Sequence, residues 1–125
     1  MLIVRAASLL LLAVPAAASA QSMNAEVFFK RAQALKAKGV LAMMSRDLNP
    51  VVNEAKAAGL KARTTRLTAL AAGRRPRYCP PVGSRRLGNE EFFNGICHPA
   101  AERMRIDMTE AMTRILIRRF PCPKA

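Results

Sequence analysis

The spacing of apolar positions along this chain is helical wherever it is regular, and no stretch holds the two-residue alternation of a half-buried strand. The first apolar run stands apart. Ala6 to Val14 follows Arg5, is interrupted only by Ser8, and ends at Pro15, with Ala18-Ser19-Ala20 behind it. A positive start, an apolar run of about nine residues and small residues at the end make the pattern of a secretory signal peptide. A membrane-spanning helix needs ~20 apolar residues. The expectation is a leader over residues 1–20, cut between Ala20 and Gln21, with 21–125 as a single helical domain in the periplasm.

Within 21–125 the helix signals come in order. Asn24 is placed to cap a helix reaching about Lys38, with Phe28, Ala32 and Leu35 as its apolar stripe and Gly39 as its stop. A short helical turn over Val40 to Ser45 follows. Asn49-Pro50 reads as a cap with proline in the first turn of a long helix that runs to about Ala72. On its wheel Val52, Leu60, Leu67 and Leu70 share one face, yet Lys56 and Arg63 fall inside that stripe. Such a helix is partly buried, or its basic side chains lie out along their methylene stems. Gly73, Pro76, Pro80, Pro81, Gly83 and Gly88 then punctuate a loop that also carries Arg74, Arg75, Arg77, Arg85 and Arg86.

Asn89 is placed to cap a short helix with Glu90 and Glu91 at its positive end and Phe92, Phe93 and Ile96 along it. A final helix is predicted from Pro99 to about Arg119. Met104, Met108, Ala111 and Ile115 line one face of it, and Ile106, Ile117 and Phe120 another. Its charged arc is narrow, with Arg103 to Asp107 and Glu110 to Arg114 at ion-pair spacing. A helix apolar around most of its circumference is the centre of a bundle, or has one face in a subunit interface such as a homodimer. The central position is favoured. The fold class expected is all-α, a small bundle of about four to five helices.

Cysteines change this picture by adding a staple. Cys79, Cys97 and Cys122 allow one bridge and one free thiol. Cys79 and Cys122 share a context, each beside prolines and near an aromatic, which favours their pairing; pairings through Cys97 stay open. The free thiol is expected to be buried.

Candidate chemistry is sparse. The single histidine, His98, adjoins Cys97, and neighbours on a turn seldom converge into a nucleophile and its base. No set of residues has metal-ligand spacing or the form of a phosphate loop. Neither a catalytic site, a metal nor a cofactor is therefore expected.

Charge is the remaining signal. The formal net charge is +13, and between Glu54 and Glu90 there is no acid among Lys56, Lys61, Arg63, Arg66 and the five loop arginines. Such a surface attracts an anionic partner. Export and the lack of aromatic platforms argue against nucleic acid.

Tyr78-Cys79-Pro80-Pro81, a short helix, His98-Pro99 leading through Arg103 into a long helix, and Arg119-Phe120-Pro121-Cys122 together resemble the Rap/Tai-type immunity proteins of type VI secretion systems. The resemblance covers roughly the last 50 residues. It implies an exported, mainly helical, non-catalytic protein that binds and blocks a peptidoglycan amidase toxin, and it independently implies the Cys79 to Cys122 bridge. The chain departs from that pattern at Gly95-Ile96-Cys97. The loop arginines, Arg74, Arg75, Arg77, Arg85 and Arg86, are the expected partner-binding residues. The alternative expectation is an envelope-associated protein whose basic face holds anionic lipid, lipopolysaccharide or peptidoglycan.

Overall fold

The computed structural model describes residues 22–97 and 99–124. Ala18-Ser19-Ala20, the Ala20–Gln21 cleavage position and His98 lie outside the described residues. The fold is all-helical: α1 Ala25–Ala37, a 3-10 segment Gly39–Met44, α2 Leu48–Ala71, α3 Asn89–Ile96, α4 Ala100–Arg103 and α5 Met108–Arg119. Among the described residues the only β-type pairing is an isolated antiparallel bridge between Asn24 and Asp107.

Local sequence explains the start of the fold. Asn24 caps α1, its Oδ1 accepting from the backbone N–H of Glu26 at 2.9 Å and of Val27 at 3.4 Å. Phe28 and Leu35 are buried, Ala32 packs against them, and Gly39 turns the chain out of the helix at φ +55°. The disulfide joins Cys79 to Cys122. It closes a sequence separation of 43 residues, a loop whose closure restricts the unfolded chain by about 4 kcal/mol in the chain-entropy account.

α5 occupies the centre, packed against α1, α2 and α3. Its Met108, Ala111, Met112 and Ile115 are buried together with Phe28 and Phe29 of α1, Val51, Ala58 and Ala62 of α2, and Ile96 of α3. Burying a Phe, Ile or Met side chain contributes ~1.5–3 kcal/mol, so this cluster and the disulfide carry most of the stability. Edge-to-face contact of Phe28 with Phe92 and stacking of Phe29 on Phe93, both at 5.8 Å between centroids, dock α3 on α1.

Five expectations are corrected. The helix expected from Pro99 to Arg119 is two helices, parted by residues 104–107. Asp107 is not the ion-pair partner of Arg103. It adopts an extended conformation and caps α5, its carboxylate accepting from the Glu110 N–H at 2.8 Å. Arg103 instead pairs with Glu26 and lies over the Phe29 ring, 3.9 Å from its centroid. The break persists because the extended residues pair with the N-terminal segment: Ala25 N–H donates to Ile106 O at 3.0 Å and Met108 N–H to Met23 O at 2.7 Å.

The buried face of α2 is also different from the one its large apolar residues suggest. Val52, Leu60, Leu67 and Leu70 are exposed, Leu60 at 65%, while Val51, Ala58 and Ala62 face the core. Small side chains let α2 and α5 approach closely, and Gly59 lies where an added Cβ would reach Met112 Cε at 4.0 Å.

The two remaining corrections concern helix ends and the free thiol. Caps shift by one or two residues: Asp47, not Asn49, precedes α2, and Gly88, not Asn89, precedes α3, neither with a side-chain capping bond. Cys97 is exposed rather than buried. It follows the last residue of α3, where Ile96 already fills the core position.

Candidate binding grooves

Gly73, at φ +70°, ends α2 and sends the chain back along it. The returning segment is held at three points. Arg74 N–H donates to Ala69 O at 2.8 Å, Cys79 N–H to Phe120 O at 2.8 Å, and the disulfide fastens the same place covalently. Between them Tyr78 inserts into the core against α2 and α5. A turn with Ser84 N–H donating to Pro81 O at 3.1 Å, and Gly83 at φ +76°, then carries the loop toward α3.

This path leaves a groove on each side of Tyr78. The first, about 640 Å³, lies between the end of α2, residues 74–78 and the start of α5; Arg66, Arg74, Arg75, Arg77, Thr109 and Glu110 line it. The second, about 730 Å³, lies between α2 and residues 80–87. Its floor is apolar, from Leu60, Tyr78, Leu87, Met112, Leu116 and Phe120, and its charged lining is wholly basic: Lys56, Arg63, Arg66, Arg85 and Arg86.

Arg66 and Tyr78 are common to both grooves. The guanidinium carbon of Arg66 sits 5.5 Å from the centroid of the Tyr78 ring. Its Nε is buried and has no hydrogen-bond partner among the described residues. A buried N–H left without an acceptor costs ~1–3 kcal/mol.

The structure thus separates the five loop arginines. Arg74, Arg75 and Arg77 border the first groove, Arg85 and Arg86 the second. Two of them are engaged within the chain. Arg75 Nη2 donates to Pro123 O at 2.6 Å, and Arg77 forms a two-pronged pair with Glu110, at 2.7 and 3.0 Å. Glu110 also accepts from Arg114 Nε at 2.9 Å. The hydrogen bonds from Arg77 hold the Glu110 carboxyl down at about 2, with Arg114 adding to the effect and partial burial opposing it. The same pair raises the Arg77 guanidinium.

Lys56, Arg63 and Arg66 belong to the second groove although loop composition alone does not point to them. Their signal is on the helix wheel, where Lys56 and Arg63 interrupt an apolar stripe; that stripe borders the groove through Leu60. The combination of cations and apolar floor suits recognition of an anionic group carried on an apolar body. Among the described residues, no three His, Cys, Asp or Glu side chains gather where they could hold a metal ion. No family model, no curated protein and no solved structure matches the chain.

Proposed function

We propose that the chain is an exported, non-catalytic binding protein of immunity type, which acts in the periplasm by covering the active-site region of a peptidoglycan amidase toxin. The reading rests on the residues around Cys79, His98-Pro99 and Cys122 that resemble such proteins, and on one structural observation. The second groove presents five basic side chains and no acid over an apolar floor. A partner segment bearing an Asp or Glu beside apolar residues satisfies each of these features: its carboxylate meets Arg66 and Arg63, and its apolar neighbours cover Leu60, Met112 and Phe120.

The test is co-expression in the periplasm with an amidase toxin encoded beside this gene. Protection of the cells and co-purification of the two proteins are expected. Arg63→Glu with Arg85→Glu should abolish both while leaving the helical circular dichroism unchanged. Cells that lyse equally with and without the protein, and no complex on a sizing column, would refute the proposal.

A further inference from the structure

The 3-10 segment Gly39–Met44 has no buried residue. Val40, Leu41, Met43 and Met44 are 69 to 88% exposed, and only Ala42 packs against the core. Four large apolar side chains in five consecutive positions thus project from one tip, far from the loop arginines in sequence. The tip is braced: Lys38 Nζ donates to Ser45 Oγ at 3.2 Å across its base, and Ser45 Oγ accepts from the Asp47 N–H at 3.3 Å. Cations flank it on both sides, with one acid, Asp47, directly after Arg46. From Val27 to Arg46 the sequence has no acid, and Lys38 and Arg46 are the flanking cations; of the cations before them, Lys30 pairs with Glu26 and Lys36 with Glu90.

We infer that Val40, Leu41, Met43 and Met44 form a membrane-surface anchor that inserts into an anionic bilayer while Lys38 and Arg46 meet its headgroups. Apolar side chains backed by cations are the combination that gives reversible interfacial binding, in which neither term alone suffices. Among the described residues no helix is long and apolar enough to cross a membrane, so insertion of this tip is shallow. Charge also selects the bilayer over a second copy of the chain, since apposing two tips would bring Lys38 and Arg46 against their own likenesses on a protein of net charge +13. The inference is independent of the toxin-binding proposal, because it uses none of the groove residues.

The chain contains no tryptophan, so Leu41→Trp creates a single emission reporter at the tip. With protein purified from the periplasm, mixed phosphatidylethanolamine–phosphatidylglycerol vesicles should shift the emission of Leu41→Trp to the blue, and phosphatidylcholine vesicles should not. Met43→Glu with Met44→Glu, both exposed, should keep the melting temperature and lower co-sedimentation with the anionic vesicles at least about tenfold. Arg85→Glu with Arg86→Glu should leave that co-sedimentation within about twofold. Unshifted emission, or co-sedimentation unchanged by the tip substitutions, overturns the anchor. So does a dimer in sedimentation equilibrium that the tip substitutions dissociate while vesicles bind neither form.

Discussion

Asn24 and Asp107, the residues that cap α1 and α5, face each other in an antiparallel bridge, so the starts of the first and last long helices are tied together. Asn24 works in both directions. Its Oδ1 caps its own helix, and its Nδ2 donates to Met104 O at 3.0 Å, in the turn that parts α4 from α5. Asn24→Ala should lower stability by about 2 kcal/mol, ~1 from the cap and ~1 from the donated bonds. Asn24→Asp keeps the acceptor and loses the donor, so urea unfolding should show about half that loss.

The cysteines should behave as two classes. Cys79→Ser removes the staple and is expected to destabilise the protein by about 4 kcal/mol, whereas Cys97→Ser should change it by less than ~0.5 kcal/mol. In the native protein a maleimide should label Cys97 alone. Equal thermal shifts for the two substitutions, or labelling at Cys79 or Cys122 without denaturant, would contradict the assignment.

Glu110 gives stability a defined acid limit. Its carboxyl titrates at about 2 in the folded protein against 4.5 for the unperturbed group. The folded state therefore prefers the ionised form, and the stabilisation is fully present above pH 4.5 and fades as the pH falls toward 2. Because the pair is partly exposed, its worth is about 1 kcal/mol. Glu110→Gln should cost that amount at neutral pH and flatten the acid limb of the stability curve measured by urea titration. Arg77→Glu should cost more, since it sets a second carboxylate against Glu110; charge reversal there reports on folding as well as on binding.

Gly95 is required by proximity rather than by backbone conformation. A Cβ at this position would meet Ile115 Cγ1 at 3.0 Å and Cγ2 at 3.2 Å. Gly95→Ala should destabilise by ~1–3 kcal/mol through overpacking of α3 on α5. Combined with Ile115→Ala, the loss measured by denaturant unfolding should be clearly smaller than the sum of the two single losses.

Where the sequence pattern was legible, the deciding interactions are local. The Asn24 cap, the Phe28 and Leu35 face and the Gly39 stop are set within one or two turns, and the matching contexts of Cys79 and Cys122 correctly favour their pairing. It misled where distant packing decides. Periodicity assigns the core to the larger apolar residues Leu60 and Leu67, but close approach of α5 rewards Ala58, Gly59 and Ala62. The Asp107 cap had a signal of its own, an acid three residues before Glu110. That signal was hidden by an equally good i,i+4 spacing from Arg103, and the tie to Asn24 resolves the choice. The grooves show the same division: the surplus of arginine is plain from composition, whereas the meeting of Arg63 and Arg66 with Arg85 and Arg86 depends on how the loop returns along α2.

That return path depends on the Cys79–Cys122 bond, with Arg75 adding a clasp to Pro123 just beyond it. Thiols of a reducing cytoplasm would leave the bond open and the outer wall of both grooves unfastened. Until oxidation forms the bond, the segment would be held by noncovalent contacts alone, among them its hydrogen bonds to Ala69 and Phe120. The bond therefore shapes both grooves as well as stabilising the fold, and under the proposed export the binding surface would be fastened only after the chain leaves the reducing compartment.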